Sequence, residues 1–213
     1  MNKELQKRLL SSIIIIPLSL FFIIKGSSFF ILFLIILFFI SFTEWLNMIK
    51  KLELKILGLL FLLFSFYTTF YFREISLELF LLIIIACVST DLGGYIFGKI
   101  FKGPKLTKIS PNKTYSGVVG GFLLSIIITY LFATMYASSG VIKNTYLADL
   151  KFIILVLIIS TTSQIGDLII SYFKRLSNIK NTGKIFPGHG GMLDRIDGMI
   201  FVFPILYLIK IIY

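Results

Sequence analysis

Four carboxylates stand where so apolar a chain has little reason to keep them: Asp91, Asp167, Asp194 and Asp197. Asp91 falls in Ser-Thr-Asp-Leu-Gly-Gly-Tyr, near the end of one long apolar run, and Asp167 in Gln-Ile-Gly-Asp-Leu, near the end of another. Ionisable residues inside membrane segments are costly and mark functional sites by default. Taken singly, each also admits a structural role, paired with a neighbouring lysine. Asp194 and Asp197 are three residues apart, which puts both on one face if a helix begins there. With Asp167 they would form a carboxylate cluster, and such a cluster needs a cation among its members. Oxygen-only ligands suit Mg²⁺, which one or two carboxylates and substrate phosphates usually hold. Nearby Lys and Arg side chains suit phosphate oxygens. Glycines at 188, 190, 191 and 198 let backbone approach a phosphate closely. Carboxylates, cations and glycine loops together argue for phosphate chemistry on a lipid.

The elements that must position these groups are membrane helices. Of 213 residues, 57% are hydrophobic and 15% charged, against about 45–50% and about 25% in soluble domains. Runs such as Phe29 to Phe42 exceed what a soluble core of this size needs. A disordered chain, a disulfide scaffold and an ordinary soluble domain are excluded. A span takes about 20 apolar residues. The spans are placed at 9–24, 27–43, 56–72, 76–97, 118–137, 152–172 and 199–213. The fold class is therefore all-α, a polytopic membrane protein of about seven helices (six to eight) in one domain, 1–213. Two polar loops, Gly98 to Gly117 and Lys174 to Gly198, hold most of the Gly, Pro and Lys found outside the spans. The first segment follows a basic start but lacks a small-residue cleavage site, so it reads as retained. Cys87, the single cysteine, sits in an apolar run and reads as a small buried residue. Trp45 reads as a membrane-interface anchor.

With the N-terminus inside, sixteen of the 21 Lys and Arg residues fall on the cytoplasmic side, including both polar loops. The positive-inside rule thus places the N-terminus and the candidate site in the cytoplasm. The formal net charge of +11 follows from that topology and from attraction to anionic headgroups. Nucleic-acid binding is not expected, because no soluble basic module exists to carry it.

The stretch Ser171-Tyr-Phe-Lys174-Arg175-Leu-Ser-Asn-Ile-Lys180-Asn181-Thr-Gly183-Lys-Ile-Phe-Pro187-Gly188-His189-Gly190-Gly191-Met-Leu-Asp194-Arg195-Ile-Asp197 closely resembles the signature of the phosphatidate cytidylyltransferases, or CDP-diacylglycerol synthases. Upstream, Asp91 to Gly98 and Ile109-Ser110-Pro111-Asn112-Lys113-Thr114-Tyr115 are similar to the family's second recurrent region, within 91–117. Weaker similarity covers Lys7 to Pro17 and Glu44 to Met48. Two positions depart from the pattern: Asn181 stands where Asp is usual, and Ser116 where Glu is usual. Bacterial members are also generally longer in the first half.

The resemblance implies that CTP and phosphatidic acid are joined into CDP-diacylglycerol, with release of pyrophosphate. It implies Mg²⁺ on Asp167, Asp194 and Asp197, with a second, monovalent cation such as K⁺. It assigns catalytic roles to Lys174, Arg175, Asp194 and Asp197. Substrate contacts are expected from Asp91, Ser110, Lys113, Thr114, Ser171, Lys180, His189 and Arg195. Lys174, Arg175 and Arg195 would neutralise CTP phosphates or the lipid headgroup, while Lys113 and Thr114 would close over the nucleotide. Asp91 would bind metal at one remove or orient a lysine. His189 would contact phosphate or nucleotide. The partners implied are CTP, phosphatidic acid, membrane lipids and a second copy in a homodimer, in the bacterial cytoplasmic (inner) membrane. Competing expectations are a CTP-dependent polyprenol or phytol kinase, a carrier whose carboxylates line a path, and a homologue that has lost activity through Asn181 and Ser116.

Overall fold

The computed structural model describes residues 3–107, 109–138, 150–183, 185 and 190–212. The chain runs through α1 (Lys3–Lys25), α2 (Ser27–Met48), α3 (Leu52–Ile75), α4 (Leu77–Phe101), α5 (Tyr115–Ser138), α6 (Leu150–Leu176), the short α7 (Leu193–Ile196) and α8 (Met199–Ile212). Five of these, α2 to α6, are long and apolar enough to cross a membrane, and shorter apolar stretches lie at Ile15–Lys25 and Met199–Lys210. Each of the seven apolar segments read from the sequence thus falls on a helix among the described residues. Fourteen-residue α8 is about 21 Å long, short of the ~30 Å hydrocarbon layer.

Contacts group the chain into two compact units, Met1–Leu77 with Tyr172–Pro204, and Glu78–Ser171 with Ile205–Tyr213. In the first unit, α1 ends where Arg73 donates from Nε to the Ile23 carbonyl (3.1 Å) and from Nη2 to the Ile24 carbonyl (3.3 Å). Those carbonyls have no partner inside α1, so a cation suits them. The guanidinium also lies over the Phe30 ring. Trp45 is 6% exposed; its indole N–H donates to the Leu54 carbonyl at 3.1 Å, and its ring meets Phe173 edge-on. The interface-anchor expectation is therefore corrected: Trp45 packs inside the unit, against Gly58. Ser65 Oγ donates to the Ile200 carbonyl at 2.8 Å, fastening α3 to α8.

In the second unit, α4 and α5 approach closely through glycine. A Cβ at Gly93 would run into the Gly120 carbonyl, and one at Gly120 into the Phe97 ring. Small residues let membrane helices pack on backbone rather than on side chains. Buried Thr90 donates to Ser160 Oγ at 2.9 Å, adding a polar tie between α4 and α6. Gly93→Val is expected to lower stability by about 1–3 kcal/mol through overpacking. Thermal unfolding in detergent checks this, and an unchanged midpoint would contradict the packing described. Cys87 is buried, as expected.

Candidate active site

Two clusters carry the chemistry-bearing residues, one in each unit. In the second unit, α4 brings Asp91 and α6 brings Asp167. The polar segment before α5 folds into a small hairpin: Leu106 N–H donates to the Lys113 carbonyl (2.8 Å) and Lys113 N–H to the Ser110 carbonyl (3.0 Å). Ser110 thus closes the turn that presents Lys113. Lys113 Nζ forms an ion pair with Asp167 Oδ2, and Asp167 Oδ1 accepts from Ser171 Oγ at 3.3 Å, one helical turn on. Asp91 lies within electrostatic reach of both Asp167 and Lys113. Thr114, an expected substrate contact, accepts the Gly117 N–H at 3.1 Å and so caps α5. Ser116, one of the two departures from the family pattern, bonds the Lys102 carbonyl at 3.0 Å and Thr114 Oγ1 at 3.0 Å. It serves the hairpin.

In the first unit, Lys174 on α6 and Asp194 on α7 form a buried pair, Nζ to Oδ1 2.9 Å, with side chains 11% and 9% exposed. Asp194 Oδ2 accepts three further bonds: from Thr182 N–H (2.8 Å), Gly191 N–H (3.0 Å) and the Thr182 hydroxyl (3.1 Å). Gly190 makes this possible, since its φ of 92° is a conformation that side chains disfavour. A Cβ there would also press on Asp194. Asp197 continues the turn of α7 in right-handed helical conformation, as the three-residue spacing suggested. Its Oδ1 accepts the Gly198 N–H at 2.9 Å. Arg175, Lys180 and Arg195 are exposed, and Arg175 Nη1 donates to the Ile179 carbonyl at 3.3 Å. Asn181, the other departure from the pattern, is exposed and lies near Gly190. His189 lies outside the described residues.

Burial works to raise the Asp194 pKa from its ordinary 3.8. The Lys174 hydrogen bond and the Gly191 and Thr182 amides outweigh it and hold the carboxyl below that value. A carboxyl depressed on folding stabilises the protein fully above its ordinary pKa and progressively less as pH falls below it. The unfolding midpoint in detergent should therefore drop as the pH falls below about 4, and Asp194→Asn should flatten that drop. An identical slope in the variant would contradict the assignment.

The two clusters differ in their capacity for Mg²⁺. Asp194 Oδ2 already has three donors and Oδ1 one, which nearly fills about four acceptor positions. Asp167 and Asp91 offer oxygen donors with more capacity left. Among the described residues of either unit, no three His, Cys, Asp or Glu side chains gather to hold a metal by themselves.

Sequence reading overlooked one member. Glu44, on α2, is 4% exposed and accepts the Met192 and Leu193 amides and the Thr182 hydroxyl at 2.8–2.9 Å. A carboxylate closing a long apolar run was the available signal.

Comparison with known proteins identifies the family. The profile of the cytidylyltransferase family matches residues 56–212. A phosphatidate cytidylyltransferase of Rickettsia conorii is 34% identical over 209 residues, 96% of this chain and 90% of that protein. That of Rickettsia felis is 33% identical, over 99% of this chain and 94% of its own length. That of Staphylococcus saprophyticus is 41% identical over 123 residues, 57% of this chain and 45% of that protein. With a match over most of its length, the chain belongs to the cytidylyltransferase family.

Proposed function

We propose that the chain is a CTP:phosphatidate cytidylyltransferase, a single membrane-embedded nucleotidyltransferase that makes CDP-diacylglycerol for phospholipid synthesis. One observation carries the reading: a lysine stands on each of two carboxylates of the matched region, Lys113 on Asp167 and Lys174 on Asp194. In the reaction, a phosphate oxygen of phosphatidate bonds to the α-phosphorus of CTP. The bond to the β-phosphate's bridging oxygen breaks, and pyrophosphate leaves with the electron pair. The attacking oxygen is already anionic near neutral pH, so no strong base is required. The obstacle is the approach of two polyanions, so positioning and electrostatics do most of the catalysis.

Lys113 and Lys174, held by their carboxylates, offer fixed positive charge to the phosphates. Exposed Arg175, Lys180 and Arg195 meet the mobile headgroup and nucleotide. Within the second unit Asp167 with Asp91 would hold Mg²⁺, and within the first Asp194 and Asp197 are candidate ligands; the ion would supply a Lewis acid that draws charge from phosphate oxygens. The distribution of Lys and Arg supports an N-terminus and site facing the cytoplasm, and the bacterial relatives support a bacterial cytoplasmic membrane location. The assembly proposed is a homodimer.

The test supplies detergent-purified protein with CTP, Mg²⁺ and one acceptor at a time: phosphatidic acid, a polyprenol or phytol. CDP-diacylglycerol and pyrophosphate from phosphatidic acid alone are expected. Phosphorylated polyprenol or phytol, with no CDP-diacylglycerol, would overturn the reading.

A further inference from the structure

Glu44 lies 138 residues before Thr182, outside the stretch Ser171 to Asp197 that holds the buried lysine–carboxylate pair. Its carboxylate is buried, and among the described residues no Lys or Arg pairs with it. A buried carboxylate persists only when hydrogen bonds replace its water. Three do so: Oε1 accepts Met192 N–H (2.8 Å), and Oε2 accepts Leu193 N–H (2.9 Å) and the Thr182 hydroxyl (2.8 Å). The two amides open the turn that carries Asp194. Thr182 reaches Asp194 as well, by its amide at 2.8 Å and its hydroxyl at 3.1 Å. One hydroxyl proton thus lies between two carboxylates. Gly183 and Gly191 pack so closely on Glu44 that a Cβ at either would collide with its carboxylate.

We propose that Glu44 is a positioning residue of the transfer site. It ties Thr182 to the 191–193 turn, and through them sets where Asp194 holds Lys174. The proposal rests on the cytidylyltransferase reading, in which that pair belongs to the site. Glutamine has nearly the same shape but must turn its NH₂ toward at least one donor that the carboxylate accepts, so a buried amide loses its partner. Aspartate keeps the charge but is one methylene too short to serve both segments.

The test measures kcat and KM on monodisperse protein in detergent, with CTP, phosphatidic acid and Mg²⁺. Glu44→Gln should fold and lose kcat by about ten- to a hundredfold, with KM for CTP changing much less. Glu44→Asp should not rescue it. Thr182→Val, which leaves the Glu44–amide bonds in place, should lose kcat similarly, while Thr182→Ser stays close to wild type. The Glu44→Gln/Thr182→Val double variant should fall little below either single one, because both act through one network. A purely structural role would lower the yield of folded protein and leave kcat per folded molecule unchanged. Wild-type kcat in folded Glu44→Gln overturns the proposal. Should Glu44→Gln fail to fold, wild-type kcat in Thr182→Val overturns it instead. No CDP-diacylglycerol from wild type overturns the cytidylyltransferase reading, whereas an active wild type with an equally active Glu44→Gln defeats only the positioning role.

Discussion

Lys174→Met should cost about 3–5 kcal/mol of stability and remove activity, because it strands a buried carboxylate. Lys174 and Asp194 are both nearly sealed from solvent, so water does not screen their attraction as it does for surface pairs. The double variant Lys174→Met/Asp194→Asn separates the two effects. An asparagine oxygen still accepts the Thr182 and Gly191 amides that Asp194 Oδ2 accepts now, and no charge is left unpaired. Most of the lost stability should return, but the activity should not, because the fixed positive charge is gone. Thermal unfolding and transfer assays on both variants check this. Full activity in the double variant would show that the pair holds the loop and takes no part in transfer.

Asp167→Asn should behave in the opposite way. Its ion pair with Lys113 is partly exposed, with side chains 28% and 26% accessible, and such pairs contribute about 0–1 kcal/mol. The fold should hardly notice the change. Activity should fall at least about a hundredfold, since the variant weakens both the anchoring of Lys113 and the oxygen set available to Mg²⁺. The measurement is initial rate against Mg²⁺ concentration, beside an unfolding curve. A stable variant that is slow at every Mg²⁺ concentration is expected. A stable variant with wild-type rates would remove Asp167 from the site.

The helices were legible because lipid leaves long apolar runs that few other environments demand. Their ends were less so. The sixth span, read as 152–172, belongs to a helix running Leu150–Leu176, and the second, read as 27–43, to one running Ser27–Met48. Apolar runs report where lipid contact ends, whereas backbone hydrogen bonding continues into polar turns. That difference hid Glu44: placed just beyond a span, it escaped the suspicion attached to charges within one. It also misplaced Trp45, which closes the core beside Phe173 instead of marking an interface.

The acidic and basic residues of the site were visible from their types, but their pairings were not. Nothing in the spacing says that Lys113 meets Asp167 on another element, or that Lys174 meets Asp194 across twenty residues. The cap that Thr114 forms at the residue before α5 was hidden too, because the sequence does not show where that helix begins. That Lys174, the Gly191 amide and the Thr182 amide and hydroxyl all converge on Asp194 was equally hidden, because they come together only through the fold of the loop.

The central claim is that this chain transfers the nucleotidyl part of CTP to a lipid phosphate. Two parallel reactions with phosphatidic acid test it, one with CTP labelled at the α-phosphate and one with CTP labelled at the γ-phosphate. Cytidylyl transfer predicts α-label in the lipid extract and γ-label in pyrophosphate. γ-Label in the lipid, with the α-label left in soluble CDP, would mean a kinase and contradict the account.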